Sequence, residues 1–349
     1  NKSQKLCIYL LDIKRFKFIN DTHGLKVGDL ILGEIARRLN QSLLKPKVVG
    51  RLSGDSFMYV IDYSNTHQQL TAAEHIHALI ARPYEVAQQE VHLQCSVGYC
   101  NFPQDGDNAD DLLQKANLAL FQAEFILYFQ PQLNLKNNRL EGAEVLVRWQ
   151  HPDKGLLAPG QFFDDIEALN LYSELDNYVL EKTCQTIAKW YKTYKRRVPL
   201  AINITAVEFQ APNFVSNIQH LLMKYEIPPI YLELEVTESV VITDIELVMK
   251  TIVILQNMGI KVSIDDFGTG YSSLAYLRKL PIDKIKIDRS FIQEVATNDS
   301  DLTIVKTMVE LSHGLGKRVL AEGVETQQQL QLLRNIGCDA VQGYFISKP

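Results

Sequence analysis

The sequence predicts an α/β protein in which an α+β domain precedes a TIM-like (β/α)8 barrel. Three observations favour this fold class. The 349 residues exceed the roughly 250–300 at which a single hydrophobic core stops growing, so we expect two domains. Strand and helix patterns alternate irregularly as far as residue 123. From residue 124 they settle into a strand-then-helix rhythm with eight strand-like runs, the number that closes a barrel.

The first domain, residues 1–123, is predicted to be a mainly antiparallel sheet covered by helices. The strand KLCIYLLDI precedes the helical pattern VGDLILGEIARRLNQSL, and KVVGRL and SFMYVID form a β-hairpin around an SGDS tip at residues 53–56. TAAEHIHALIA predicts a helix, VHLQCSVGYC a strand, and NADDLLQKANLALFQA a last helix capped by Asn108 or Asp110. This order of elements is typical of an α+β sandwich.

The second domain, residues 124–349, contains the eight barrel strands. They are FILYFQPQ, GAEVLVRW, PLAINIT, YLELEVTES, KVSIDDFG, KIKIDRSF, RVLAEGV and AVQGYFIS, and helical patterns lie between most of them. An open doubly wound sheet is the competing topology, but it would need a phosphate-binding GxGxxG, which the sequence lacks. No helix pattern follows the last strand. Because helix runs into strand without connecting residues, we expect a linker to be omitted between Ala123 and Glu124.

Composition excludes several classes of function. The net charge of -5 argues against a partner that is a nucleic-acid polymer. No apolar run approaches the roughly 20 residues that cross a bilayer, and five scattered cysteines without a CxxC indicate reduced thiols and a cytoplasmic protein. The chain lacks an initiator Met, so we expect a fragment of a longer protein, in which an upstream sensor or membrane anchor stays open.

Polar side chains lie in or at the ends of seven of the eight barrel strands: Glu144, Asn203, Glu235, Asp265 with Asp266, Lys286, Glu322 and Gln342. In a barrel such residues converge on one mouth. A single acid there could be a solvated strand end, but two like charges 4 Å apart repel by ~4 kcal/mol at an effective dielectric of 20. Five acids therefore need protons or cations.

Because no HExxH occurs, we expect a metal site of oxygen ligands, with Asn203 as a neutral one. A pair of divalent ions bridged by carboxylate suits in-line attack of water on a phosphodiester. Lys286 would then orient the water or neutralise the developing charge.

Seven segments in order carry a resemblance to a known family. AEVLVRW, NIT, ELEVTES, DDFGTGYSSL, KIKIDRSF, AEGVET and QGYFIS resemble the motifs of the EAL family of cyclic di-GMP phosphodiesterases, over residues 124–349. The resemblance implies hydrolysis of cyclic di-GMP to 5′-pGpG with Mg²⁺ or Mn²⁺ in a two-metal site. A non-catalytic cyclic di-GMP receptor is the alternative, although receptors of this family typically lack several ligands and this chain lacks none.

The same resemblance implies a role for each matched residue. The metal ligands are Glu144, Asn203, Glu235, Asp265, Asp266 and Glu322; Lys286 and Gln342 contact the water on the metal; Gln130, Leu146 and Arg148 contact the substrate; and Glu238 steadies the DFGTGYSSL loop. Glycines 268 and 270 give that loop its mobility, and the family places it near a dimer interface, so we expect a homodimer. The family's E-A-L reads E-V-L here; Val145 touches no ligand, and we expect activity to survive.

LLDIKRFKFINDTHGLKVGD followed by RLSGDSF resembles the GGDEF family of diguanylate cyclases, over residues 5–123. The resemblance implies nucleotide-site residues, which are Asp12 and Asp55 for metal, Lys17 for phosphate, and Asn20 with Asp29 for guanine. The hairpin motif is degraded, because Ser53 replaces its first Gly and Ser56 its Glu. We therefore expect no cyclase activity and a regulatory role, while GTP binding without turnover and a plain scaffold both stay open.

Overall fold

The computed structural model describes residues 5–86, 89–151, 154–168, 172–195, 197–238, 240, 245–269 and 277–349. The chain divides into two compact units, residues 1–126 with 148–165, and residues 127–147 with 166–349. The predicted boundary between residues 123 and 124 stays a prediction. Helix and strand follow each other there without a gap, because one helix ends at Glu124 and the next strand begins at Phe125.

The N-terminal part is the α+β sandwich that the sequence predicts. Its elements are β1 (Leu6–Ile13), α1 (Phe16–His23), α2 (Leu25–Asn40), β2 (Val48–Ser53), β3 (Ser56–Asp62), α3 (Thr66–Ile80), β4 (Tyr84–Val86), β5 (Gln89–Val91), β6 (Cys95–Phe102) and α4 (Ala109–Glu124). The main sheet has the order β2-β3-β1-β6, and each of its pairings is antiparallel. The predicted hairpin is confirmed: Ser53 pairs with Ser56.

Strand β1 is buried on both faces, which makes the sheet the middle of three layers. Residues Cys7, Tyr9 and Leu11 belong to the larger hydrophobic core, whereas Ile8 and Leu10 belong to a smaller core with Leu112 and Ala116 of α4. Helix α4 begins at the cap Asn108, whose side chain accepts from the Asp111 N–H. This packing follows from the alternation of side chains along a strand.

The barrel elements begin at β7 (Phe125–Asn134). They continue with β8 (Arg139–His151), β9 (Gly155–Leu157), α5 (Phe163–Ala168), α6 (Tyr172–Lys192), β10 (Leu200–Asn203), α7 (Ala206–Phe209), α8 (Phe214–Tyr225), β11 (Leu232–Thr237), α9 (Ile245–Met258), β12 (Lys261–Phe267), β13 (Lys284–Ile287), α10 (Arg289–Gln293), α11 (Asp299–Gly314), β14 (Arg318–Ala321), α12 (Gln327–Asn335) and β15 (Ala340–Val341). Parallel pairing joins β8 to β10 and each strand from β10 to β15 to the next.

Eight strands close into a barrel, which excludes the open doubly wound sheet. The order runs β10-β11-β12-β13-β14-β15-β7-β8, and the additional pairing of β8 with β10 closes the ring. One feature departs from the predicted strand-then-helix rhythm. Strand β7 pairs antiparallel with β15 and turns directly into β8 through residues 135–138, where Asn138 has a φ of 54°. The first two barrel strands are therefore a hairpin rather than a βαβ unit.

Within the described residues, no helix combines the length and the apolar character needed to cross a membrane. All five cysteines are free and buried, as the scattered sequence positions indicate.

Candidate active site and metal centre

The barrel strands bring the predicted polar residues together at their carboxyl ends. Glu144 lies in β8, Asn203 ends β10, Glu235 lies in β11 and Asp265 in β12. Asn203 pairs with Glu235 in the β10–β11 register, which sets their side chains side by side. Lys286 lies in β13, while Glu322 and Gln342 directly follow β14 and β15. The parallel registers thus deliver every predicted ligand to one mouth.

The Lys286 ammonium lies at the centre of the acidic group. Its Nζ is 2.6 Å from an oxygen of Glu235, 2.8 Å from Glu322, 3.0 Å from Asp265 and 3.5 Å from Glu144. Both Lys286 and Glu235 have no exposed surface. One cation therefore faces four carboxylates in an environment where water cannot screen their repulsion.

This imbalance of charge is visible in the pKa values. Burial raises the pKa of Glu235 well above its ordinary range despite the nearby ammonium. Burial likewise raises the pKa of Glu322 to about 8. Burial opposes the charged form of Lys286, but Asp265, Glu144 and the other carboxylates outweigh it and raise the pKa of Lys286 well above its usual value. The lysine is thus an ammonium, and Glu235 and Glu322 are the carboxyls whose protonated form burial favours.

Glu144 is oriented from both sides by amide groups. The Asn203 Nδ2 donates to Glu144 Oε1 at 2.8 Å, and the Gln342 Nε2 donates to Glu144 Oε2. The same Nε2 also donates to the Gln130 Oε1 at 3.1 Å. Because the Asn203 NH₂ donates to Glu144, the side-chain carbonyl oxygen of Asn203 is the atom that can serve as a neutral ligand.

A local distortion of strand β12 lies at Asp265 and Asp266, whose carboxylates each place an oxygen within 4.8 Å of the other. Asp266 has a φ of 53°, a left-handed conformation that is uncommon outside glycine, and its N–H donates to the Asp265 Oδ1 at 2.9 Å. The register between β12 and β13 shifts between Ile264 and Phe267. Burial, together with the negative charge of Asp265, raises the pKa of Asp266. Such strained positions cluster at functional sites.

The donor set fits divalent metal ions. Glu144, Glu235 and Asp265 form one group whose oxygens lie within 4.8 Å of one another, and Asp265, Asp266 and Glu322 form a second. Among the described residues the Glu235 Oε1 is fully buried and finds no hydrogen-bond partner, which is costly for a carboxylate oxygen. Five carboxylates and one ammonium leave a formal charge of -4, which two divalent cations would neutralise. Hard oxygen ligands of this kind suit Mg²⁺ and similar ions.

Of the remaining predicted residues, Gln130 contacts this centre, because it accepts from the Gln342 amide. Glu238 is buried, and the Gly268 N–H lies 3.5 Å from its Oε2, so the carboxylate reaches the start of the DFGTGYSSL loop. Gly270 lies outside the described residues. Leu146 and Arg148 are half-buried along β8, and Gln130 is buried in β7.

Sequence reasoning missed a second polar layer inside the barrel. Gln132, Glu233 and Lys284 are buried, and the Lys284 Nζ lies 2.7 Å from the Glu233 Oε1 and 3.2 Å from the Gln132 Oε1. Burial opposes ionisation of Glu233, but the Lys284 ammonium outweighs it and lowers the pKa of Glu233. The signal was present as QPQ, ELE and KIK, because residues two apart on a strand share one face.

Comparison with known families decides the classification. The EAL domain model matches residues 113–349, and the model of the diguanylate cyclase GGDEF domain matches residues 1–125. The chain belongs to the EAL family and carries a GGDEF domain before it. The two matches overlap at residues 113–125, in helix α4 and the first residue of β7.

The relatives of this EAL protein share both domains. A bifunctional diguanylate cyclase/cyclic di-GMP phosphodiesterase, MucR of Pseudomonas aeruginosa, is 31% identical over 382 residues that cover 99% of this chain and 56% of MucR. The cyclic di-GMP phosphodiesterase NbdA of the same organism is 33% identical and covers 100% of this chain and 49% of NbdA. The chain spans about half the length of these curated relatives.

Two solved structures resemble the EAL part. The PaMucR phosphodiesterase in complex with c-di-GMP is 37% identical, with a TM-score of 0.64 over 68% of this chain and 96% of that chain. An EAL domain protein from Listeria monocytogenes is 35% identical, with a TM-score of 0.59 over 70% of this chain and 94% of that chain.

The predicted nucleotide-site residues of the GGDEF domain lie in β1, in the tip of the β2–β3 hairpin and on helices α1 and α2. Asp12 lies in β1, and its Oδ1 accepts from the Ser56 Oγ at 2.9 Å. Asp55 lies in the hairpin tip, Lys17 is exposed on α1 and Asp29 is exposed on α2. The Asn20 side chain lies against Gly28, where an added Cβ would come within 1.9 Å of its Oδ1. A glycine is therefore needed there for Asn20 to keep its place.

Proposed function

We propose that this chain is a metal-dependent phosphodiesterase that hydrolyses cyclic di-GMP to 5′-pGpG. The observation that carries the proposal is the buried, unpartnered Glu235 Oε1 within a cluster of five carboxylates. Buried polar atoms in native proteins are usually paired, and a metal ion bound among these acids would satisfy this oxygen. The names of its relatives and the c-di-GMP complex of PaMucR support the choice of substrate.

Two sets of residues would hold the metal, which we propose to be a pair of Mg²⁺ or Mn²⁺ ions. Glu144, Glu235 and Asp265, with the Asn203 oxygen, form the first set, and Asp265, Asp266 and Glu322 form the second. Such ions supply Lewis acidity and activate water for attack on phosphorus. The substrate loses its P–O3′ bond, the water oxygen joins the phosphorus, and the freed 3′ oxygen takes up a proton.

The chain's own residues would orient the reactants and balance charge. Four carboxylates surround the Lys286 ammonium and fix its position. Its positive charge would stabilise the negative charge that develops on the phosphate in the transition state. The Gln342 amide holds Glu144 in one orientation. Arg148, half-buried in β8, suits a substrate phosphate, and Gln130 and Leu146 complete the proposed contacts.

The test is hydrolysis of cyclic di-GMP with Mg²⁺ or Mn²⁺, followed by chromatography of pGpG. We expect Glu235→Gln to abolish product formation, because it removes a ligand charge while keeping the shape. Glu310→Gln makes the same change on an exposed residue of α11 and should leave turnover intact. Binding of cyclic di-GMP without turnover at any metal concentration would establish the receptor instead, and equal rates in Glu235→Gln and the unchanged protein would refute the proposed site.

We further propose that the GGDEF domain is a regulator that binds GTP without condensing it. The Ser56 hydroxyl stands where the family has a glutamate and donates to Asp12, so one metal carboxylate is lost while Asp12 and Asp55 remain. Adding GTP to the hydrolysis assay should change the rate, whereas ATP should not, and Asp12→Asn should abolish the GTP effect. Formation of cyclic di-GMP from GTP would contradict the proposal. The homodimer and the cytoplasmic location stay predictions.

A further inference from the structure

The second polar layer contains a continuous chain of hydrogen bonds that all run in one direction. The Lys284 Nζ donates to the Gln132 Oε1 at 3.2 Å, and the Gln132 Nε2 donates to the Gln342 Oε1 at 3.1 Å. The Gln342 Nε2 in turn donates to Glu144 and, at 3.1 Å, to Gln130. This chain of hydrogen bonds thus extends from the buried second layer to Glu144, a predicted metal ligand.

The two ends of this hydrogen-bond chain are a fixed donor and a fixed acceptor. A lysine ammonium has three donors and no acceptor, and an ionised carboxylate has acceptors only. The two glutamines between them have one donor end and one acceptor end each, and they satisfy every contact in only one orientation. Because Gln132 must offer its oxygen to Lys284, its NH₂ faces Gln342, and the Gln342 NH₂ is left for Glu144.

We propose that Lys284 and Gln132 are positioning residues that fix the orientation of the Gln342 amide, so that its NH₂ group holds the metal ligand Glu144. Glu233 contributes to this positioning because its Oε1 lies 2.7 Å from the Lys284 ammonium. The inference rests on the proposed function for the role of Glu144. It gives the buried pair a purpose other than stability, since a buried ion pair can often be replaced by apolar residues without loss.

The decisive variant reverses the polarity of one link while keeping its shape. In Gln132→Glu, the carboxylate still accepts from Lys284 but has no NH₂ for Gln342. Gln342 then turns its own NH₂ toward residue 132 and its oxygen toward Glu144. Loss of an outer partner of a metal ligand typically weakens metal binding by about 10–100-fold, and we expect a loss of at least about tenfold here.

Three further variants separate orientation from stability. Gln132→Leu removes the link without reversing it, so it should weaken metal binding less than Gln132→Glu. The double change Glu233→Leu with Lys284→Met removes both charges together, so it should fold at least as well as the unchanged chain and still weaken metal binding. Gln69→Glu makes the same change at a buried glutamine of α3 in the N-terminal domain and should leave metal binding unchanged.

The experiment measures Mn²⁺ binding by calorimetry and thermal stability for all four variants of the full chain. The side-chain amide signal of Gln342 is recorded in ion-free, ¹⁵N-glutamine-labelled protein. The proposal is supported if Gln132→Glu binds Mn²⁺ more weakly than Gln132→Leu whatever their melting temperatures, and if the Gln342 signal is displaced in Gln132→Glu. Affinity that follows melting temperature, or a Gln342 signal that does not move, overturns it. Normal Mn²⁺ binding without hydrolysis of cyclic di-GMP would refute the proposed function alone.

Discussion

The acidic centre should make the stability of the metal-free protein fall as the pH rises. The pKa of Glu322 is raised from 4.5 to about 8 by burial, although Lys286 opposes the shift. Between these two values the folded protein holds a proton that the unfolded chain has released. The folded state binds more protons, so the free energy of unfolding decreases with increasing pH across this window.

The size of the effect follows from the width of the shift. One pKa unit corresponds to about 1.4 kcal/mol, so the full window from pH 4.5 to 8 amounts to roughly 5 kcal/mol. Between pH 6.5 and 8 the loss of unfolding free energy is about 2 kcal/mol, which corresponds to roughly 4–8 °C in melting temperature for a domain of this size. Asp176, whose pKa burial raises to about 6, acts mainly below this range and in the same direction with or without metal.

The assay is thermal unfolding by circular dichroism from pH 6.5 to 8, in chelator and in excess Mg²⁺. The cation replaces the proton among the carboxylates, so the gap between the two melting temperatures should widen by about 4–8 °C over this range. Glu322→Gln should make the curve measured in chelator less steep. A gap that stays constant or narrows, or an unchanged slope in Glu322→Gln, would refute the reasoning.

Three other changes test separate parts of the molecule. Lys286→Met leaves four carboxylates without their cation, so the variant should lose about 3–5 kcal/mol of stability in chelator. Mg²⁺ should restore much of this loss, which urea unfolding with and without Mg²⁺ measures. An unchanged free energy of unfolding in chelator would contradict the prediction. Val145→Ala removes two buried methyl groups and should lower stability by about 1–3 kcal/mol with turnover unchanged; a large gain in turnover would show that Val145 limits the enzyme. Gly28→Ala displaces Asn20 and should abolish GTP binding measured by calorimetry, whereas undiminished binding would remove Asn20 from the nucleotide site.

The convergence of the polar residues could be predicted from the sequence, whereas the direction of one barrel strand could not. In parallel strands the carboxyl ends meet at one edge whatever the details of packing, so Glu144, Asn203 and Glu235 could be placed together from their strand positions alone. The direction of β7 could not be read in this way, because an alternating apolar pattern is the same in both directions. The two asparagines of the turn after β7, one of them left-handed, were a hairpin signal in the sequence.

The inner layer was missed for a different reason. Buried Glu and Lys are rare unless paired, so a polar residue beneath the mouth predicts nothing until its partner is known. The pairing of Glu233 with Lys284 joins residues 51 positions apart in sequence on non-adjacent strands, and no local pattern contains that information. Only the repeated residue types at a spacing of two pointed to a shared face.

The antiparallel direction of β7 is what makes the chain of hydrogen bonds from Lys284 to Glu144 possible. On the parallel strand β13, Lys284 precedes Lys286 and therefore lies deeper in the barrel. On β7 the order is inverted, so Gln132 lies at the depth of Lys284, while Gln130 lies nearer the mouth with Gln342 and Glu144. A parallel first strand would exchange the two glutamines, placing Gln132 nearer the mouth and Gln130 beside Lys284. The hairpin that departs from the regular barrel is thus the feature that connects the buried ion pair to Glu144, a predicted metal ligand.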